Sequence, residues 1–251
     1  MSPTLAYQVQ HHKTTASTMD DVRAAAMVGA AEGLVISADT QTGGRGRRGR
    51  AWFSPPGNLY VSLLLRPDME QAALGRFSFV TSLALAAALP EDINRDRVRL
   101  KWPNDVLVNN AKIAGILLES CNTPKGTALI IGMGVNITQH PTDTPYPTTS
   151  FAALGLDPAR HAPEKLLARF LTAFEGFRQD LTAGNFLPIR SAWLAQANGL
   201  GEDIVVRLPN QALEGRFMGI DESGCLLLQR PAGNLQRIAS GEVFAPTAKV
   251  S

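Results

Sequence analysis

The strongest constraint on how this chain folds lies in Gly43-Gly44-Arg45-Gly46-Arg47-Arg48-Gly49-Arg50 and in the residues just after it. Gly44, Gly46 and Gly49 match GxGxxG literally. A dinucleotide fold needs those glycines to open a helix whose N-terminus receives the phosphates. Here Ala51-Trp52-Phe53-Ser54-Pro55-Pro56-Gly57 comes next, and two prolines with a Gly-Asn turn do not continue a helix. A P-loop is excluded too, because Gly-Lys-Ser or Gly-Lys-Thr is missing. What remains is a loop with four arginines between positions 45 and 50. Its glycines let backbone approach a ligand, and its arginines offer bidentate contacts to phosphate. The segment reads as polyanion-binding, with a solvated basic surface loop as the bland alternative.

The flanking elements alternate in type. Ser17 or Thr18 caps a helix carrying Asp20 and Asp21 in its first turn, with Val22, Ala25 and Ala26 at helical spacing and Gly29 as its stop. Strands are predicted over Gly33–Asp39, Leu59–Leu65, Val98–Trp102, Val106–Val108, Lys112–Glu119 and Ala128–Ile137, with Asn109-Asn110 as a hairpin turn. Helices are predicted over Leu74–Leu89, Pro163–Leu181 and Leu187–Ala197, and His140–Thr149 is a proline-rich connector. From Gly199 on, short strands (Ile204–Leu208, Leu213–Ile220, Cys225–Gln229, Leu235–Ala239) with turn residues between them predict a small all-β barrel. The expected domains are therefore 1–198 and 199–251.

Bulk properties narrow the class. With 45% hydrophobic and 18% charged residues in 251, the chain can bury a sizeable core. A net charge of +2 does not argue for nucleic acid as a bulk partner. Cys121 and Cys225 are expected to be reduced thiols, and no Cys/His spacing suggests a structural metal. No signal peptide or membrane-length apolar run is visible, so a soluble, cytoplasmic protein is expected.

Two further segments carry chemistry. Lys101-Trp102-Pro103-Asn104-Asp105 gathers a cation, a stacking face, an amide and a carboxylate in one turn, a set suited to metal-nucleotide work. Lys112-Ile113-Ala114-Gly115-Ile116-Leu117-Leu118-Glu119 is a strand headed by a lysine, and its Gly115 suggests a close backbone approach.

Together these segments, in this order, resemble the biotin protein ligase family. Gly44–Arg50 with Trp52 resembles its biotin-adenylate loop, Lys101–Asp105 its KWPND segment, Lys112–Glu119 its KxxGIL(L/V)E strand, and Ser17-Thr18 the start of its Ser-Thr-Asn motif. Gly219–Gly224 and Gly241-Glu242-Val243 resemble its C-terminal barrel. The resemblance implies an α+β fold: a mixed sheet with helices, akin to class II aminoacyl-tRNA synthetases, followed by a small SH3-like β-barrel. It implies that biotin and Mg-ATP form biotinyl-5'-AMP, and that a lysine of the biotin carboxyl carrier protein of acetyl-CoA carboxylase or a related carboxylase then takes the biotin. Arg47, Lys112, Asn104 and Asp105 are the implied catalytic residues, without a resident metal.

By the same resemblance Arg45, Arg47 and Lys112 supply cations to the carboxylate and phosphate, with Gly44, Gly46 and Lys101 alongside them. Trp52 covers the adenine. Ser17, Thr18 and Gln41 hydrogen-bond the ureido ring, which Gly115 lets lie on the backbone. Met19 stands where the family has Asn, so whatever that amide contacts is altered. Only sixteen residues precede Ser17, too few for the helix-turn-helix domain of bifunctional members, so neither DNA binding nor repression is expected. A weak homodimer through the sheet edge is compatible with the resemblance. The rival readings are a lipoate or octanoyl ligase and, in another class, a non-catalytic biotin- or nucleic-acid-binding module.

Overall fold

The computed structural model describes residues 4–246. A seven-stranded sheet in the order β1-β2-β3-β7-β6-β5-β4 forms its larger part. The strands are β1 (Gln8–Thr15), β2 (Leu34–Gln41), β3 (Leu59–Leu65), β4 (Val98–Lys101), β5 (Asp105–Val108), β6 (Ala111–Thr123) and β7 (Gly126–Val135). Only β1 and β2 pair parallel; the other pairs are antiparallel. Asn109 and Asn110 both adopt positive φ, which matches the right-handed twist of the β5–β6 hairpin. The sheet is thus mixed, as expected.

Helix α1 (Thr18–Met27) covers one face. Met19, Val22 and Ala26 meet Leu34, Ile36, Leu64, Ala128 and Ile130 there in a small core of their own. Helices α2 (Phe77–Ala88), α3 (Pro163–Thr182) and α4 (Phe186–Ala195) cover the other face in the main core. Every residue of α2 except Ala87 is buried, which suits a helix apolar on all sides and wedged between sheet and helices. Its last carbonyls are capped from outside: Arg95 donates to Ala86 O and Leu89 O at 2.8 Å each, and Arg169 donates to Ala88 O at 2.9 Å. No helix among the described residues is long and apolar enough to cross a membrane.

A second sheet follows in the order β11-β10-β9-β8-β12, built from β8 (Asp203–Arg207), β9 (Ala212–Ile220), β10 (Leu226–Gln229), β11 (Leu235–Ile238) and β12 (Glu242–Phe244), all antiparallel. Its β9–β10 turn is built into the first unit. Asp221 Oδ1 accepts from the backbone of Ser223 (2.8 Å) and Cys225 (2.9 Å), and Gly224 takes φ +81°. Gly224 O accepts a 3.1 Å bond from buried Trp102 Nε1. A Cβ on Gly224 would lie 2.5 Å from the Phe79 ring.

Three local expectations differ from the structure. Strand β1 has no counterpart among the predicted elements: nearly all its side chains are exposed, so it lacks alternation. Leu74–Arg76 is 3₁₀ rather than α-helical, and the main helix begins at Phe77. Strand β12 is likewise absent from the predicted elements, being three residues long.

Gly224→Ala should lower conformational stability by roughly 2–4 kcal/mol, combining positive-φ strain with an overpacked Phe79 contact. Urea unfolding followed by tryptophan fluorescence checks it; an unchanged midpoint would refute the packing described.

Candidate active site

One cavity of about 290 Å³ opens on the α1 face of the large sheet, with Ser17, Thr18 and Met19 from the start of α1 in its lining. Three glycines make its floor. Gly115 on β6 is paired with Gly134 on β7, and Gly132 lies two residues before Gly134 on the same face. A Cβ on Gly134 would lie 2.3 Å from Trp52 Nε1, and one on Gly115 would lie 2.9 Å from the same indole. Trp52 therefore rests directly on the backbone of both strands. Among the described residues its buried Nε1 has no hydrogen-bond partner. Met19 lies over Gly132 in the same way, with its sulfur 2.5 Å from where a Cβ would stand.

Neutral polar groups gather at one end. Gln41 Oε1 accepts from Thr18 N (2.9 Å) and Thr18 Oγ1 (3.2 Å), and Thr18 Oγ1 lies 2.8 Å from Ser62 Oγ. Gln41 Nε2 donates to Ser54 Oγ at 3.2 Å. Ser17 is the N-cap residue, yet its side chain caps nothing; its hydroxyl accepts from Arg45 at 3.1 Å instead. Gly44 stands behind this end, where a Cβ would press on Ser54, Gln41 and Trp52.

Cations gather at the other end. The register places Lys101 opposite Asp105 and Asp105 opposite Gly115, continuing the glycine row toward the sheet edge. Lys112 Nζ sits 2.7 Å from Asp105 Oδ1 and 5.2 Å from the Trp52 ring centre. That carboxylate oxygen is buried and accepts no hydrogen bond of good geometry. Lys101 Nζ lies over Tyr146 and Phe244. Burial pulls the Lys101 ammonium below its ordinary value, with Asp105 acting against the shift. Burial likewise pulls the Arg47 guanidinium down. Asn104 donates to Ile116 O, which turns its Oδ1 toward Arg47 Nη1 at 3.5 Å. Desolvated cations held with few counterions are a binding site for an anion.

The glycine-arginine loop spans both units. Gly46 N donates to Arg50 O, and Trp52 N donates to Gly44 O, which closes the loop on itself. Arg47 donates to Gly241 O at 3.0 Å, Arg48 to Arg207 O at 3.4 Å, and Arg50 pairs with Glu242.

All the site residues expected from the sequence line this cavity except Gly44, which backs it. Two sit differently from the expectation. Arg45 is expected to serve the anionic ligand, yet its guanidinium bonds are taken by Ser17, Asp20 and Glu119. The indole of Trp52, expected over adenine, lies on Gly115 and Gly134, the place expected for a ligand ring. Ser62, Gly132, Gly134, Tyr146, Glu242 and Phe244 also line the cavity, and the sequence motifs do not point to them as site residues. Two signals mark some of them in the sequence: a lone serine in the apolar strand Leu59–Leu65, and glycines two apart in β7.

Residues 13–136 match the Biotin/lipoate A/B protein ligase family, and residues 199–245 match the Biotin protein ligase C terminal domain. A mixed sheet with a cation-lined cleft, closed by a small SH3-like unit, is thus the architecture of a protein-modifying acyl ligase. The biotin–[acetyl-CoA-carboxylase] ligase of Paracoccus denitrificans is 42% identical over 214 residues, 83% of this chain and 89% of that protein. The bifunctional ligase/repressor BirA of Bacillus subtilis is 32% identical over 240 residues, 93% of this chain and 72% of that protein. Among solved structures, the biotin protein ligase from Aquifex aeolicus in complex with biotin and ATP superposes with a TM-score of 0.80 at 28% identity, covering 94% of this chain and 97% of that one. The chain belongs to the biotin protein ligase family.

Lys101→Met should raise stability at neutral pH by about 1 kcal/mol, because a half-buried, desolvated cation is exchanged for an apolar chain of similar volume. The sign of the pH effect follows from the lowered pKa. Between that value and 10.5 the unfolded chain binds more protons, so stability of the native protein rises with pH across this window. The variant should lose that slope. Thermal melts of both proteins at several pH values check it; parallel curves would contradict a depressed Lys101.

Proposed function

We propose that this chain joins biotin to ATP as biotinyl-5'-AMP and passes the biotinyl group to a lysine of the biotin carboxyl carrier protein of acetyl-CoA carboxylase. The observation that carries the reading is the polarity of the cavity. Neutral hydrogen-bonding groups stand at one end, a glycine floor in the middle and desolvated cations at the other. Biotin has the same order: a neutral ureido ring, an aliphatic chain and a carboxylate.

In this reading Ser17, Thr18 and Gln41, with Ser62, serve the ureido ring, since a buried urea needs partners. Arg47 and Lys112 hold the carboxylate against the α-phosphate of ATP. A carboxylate oxygen forms the new bond to phosphorus, the bond to the β-phosphate oxygen breaks, and pyrophosphate leaves. The barrier is lowered by positioning and by cations that offset charge in the transition state. The carrier lysine then attacks the acyl carbon, loses a proton and releases AMP. Mg²⁺ enters with ATP as co-substrate; Asp105 and Asn104 would offer hard oxygen donors to it, with Lys112 holding Asp105 Oδ1 at 2.7 Å. Trp52 closes the middle of the cleft, and its free Nε1 is a donor for the ligand. Tyr146 and Phe244 flank Lys101 where the nucleotide enters. The division of the chain into a catalytic unit (1–198) and a C-terminal unit (199–251) belongs to the same proposal.

Purified protein should catalyse ATP–pyrophosphate exchange that depends on biotin and not on lipoate. Exchange supported by lipoate alone would move the reading to a lipoate ligase, and no exchange with either would end it. Gly132→Ala should push the Met19 thioether into the cavity and raise KM for biotin about tenfold, a loss of roughly 1.4 kcal/mol. Met19→Ala in the same chain should recover most of that loss. Equal KM values for Gly132→Ala and wild type would show that Met19 does not border the ligand.

A further inference from the structure

Arg45 is the best-bonded side chain of the site. An arginine has five N–H donors. Here Nη1 donates to Asp20 Oδ2 at 2.8 Å and Ser17 Oγ at 3.1 Å. Nη2 donates to Asp20 Oδ1 at 2.8 Å and Glu119 Oε2 at 3.3 Å, and Nε donates to Glu119 Oε1 at 3.3 Å. Five contacts match five donors, so none remains for a ligand. The geometry toward Asp20 is the parallel two-bond fork that gives arginine–carboxylate pairs their strength. Its hydrogen bonds to Asp20 do most to raise the Arg45 guanidinium above its ordinary value.

We propose that Asp20 is a positioning residue for this active site, latching the 43–50 loop over the cavity and setting the hydrogen-bonding role of Ser17 through Arg45. The substrate arm of this proposal rests on the biotin reading. Asp20 sits in the first turn of α1, three residues after Ser17, so helix and loop are joined at the point where the neutral end of the cavity begins. Ser17 Oγ accepts from Arg45, which leaves its proton free to be donated into the cavity. Glu119 adds a second carboxylate from β6 and is itself paired with Arg23 on α1. Four charges from helix, loop and strand thus form one network. This matters because the Asp20 side chain is 54% exposed, and an isolated exposed pair would hold little.

The test compares Asp20→Asn with Asp21→Asn. Both remove one charge from the first turn of α1, but Asp21 bonds Thr15 Oγ1 at 2.6 Å and does not touch Arg45. Two measurements are made: limited trypsin cleavage within residues 45–50, located by mass spectrometry, and KM for biotin and for ATP in pyrophosphate exchange. Asp20→Asn should speed loop cleavage about tenfold and raise KM for biotin about tenfold, with KM for ATP changed by less than about twofold. Asp21→Asn should do neither. Ser17→Ala added to Asp20→Asn should cost little more, since both changes strike one network. Wild-type cleavage and KM in Asp20→Asn would overturn the proposal, as would equal effects from Asp21→Asn or additive losses with Ser17→Ala. If wild type shows no biotin-dependent exchange, the functional reading fails by itself, and unchanged cleavage in Asp20→Asn then refutes the latch separately.

Discussion

The missing side chains of Gly115, Gly132 and Gly134 are the constraint on which the site depends. Elsewhere that face of the sheet is filled, chiefly by α1. At these three positions there is only backbone, so an indole and a thioether can lie within van der Waals contact of the strands. The cross-strand register then sets what surrounds the floor. Tyr60, Gly134, Gly115, Asp105 and Lys101 fall in one row from the third strand to the sheet edge. Neutral groups on β2, β3 and α1 therefore meet one end of the glycine shelf, and charged groups on β4, β5 and β6 meet the other. Antiparallel pairing sets the strand-borne part of this gradient, and the 43–50 loop adds Arg47 to its cationic end.

Keeping several cations at one end has a structural consequence. Arg47 and Lys101 are desolvated, and among the described residues neither has a full carboxylate partner of its own. The second sheet relieves part of this strain by contributing Gly241 O to Arg47, Glu242 to Arg50 and the Phe244 ring to Lys101. It is anchored in turn by Trp102, whose indole donates to Gly224 O. The small C-terminal unit is thus one wall of the cavity. The charge that recruits anionic substrates is the same charge that ties the two units together.

Much of this is legible in the sequence. The Gly-Arg loop, the Lys101–Asp105 turn and the Lys112–Glu119 strand each carry unusual residue types at fixed spacing, and all converge on one cavity. Long apolar runs, such as α2 and β3, lie within a few residues of their predicted bounds. The features that escape a sequence reading depend on partners distant along the chain. Strand β1 has no buried face, so nothing in its pattern marks it. Tyr146 and Phe244 read as a connector residue and a barrel residue until the fold brings both to Lys101. Arg45 looks like its neighbours Arg47 and Arg50 in the loop. Only the approach of Asp20 and Glu119 separates a latch from a ligand-facing cation.

Met19 shows how one helix can separate packing from hydrogen bonding at the edge of a cavity. Consecutive helical residues point about 100° apart, so Thr18 and Met19 face different neighbours. Thr18 supplies the hydroxyl bonded to Gln41 and Ser62, and that network has no contribution from residue 19. Met19 instead joins Val22 and Ala26 in the small core under α1, with 4% of its surface exposed. An amide placed there would need a buried partner, whereas the flexible thioether fills the space over Gly132 without one. The substitution is therefore compatible with the polar end of the cavity because the helix assigns hydrogen bonding and packing to adjacent but divergent positions. Met19 and Gly132 then act as a matched pair: a bulky residue at one position requires the absence of a side chain at the other.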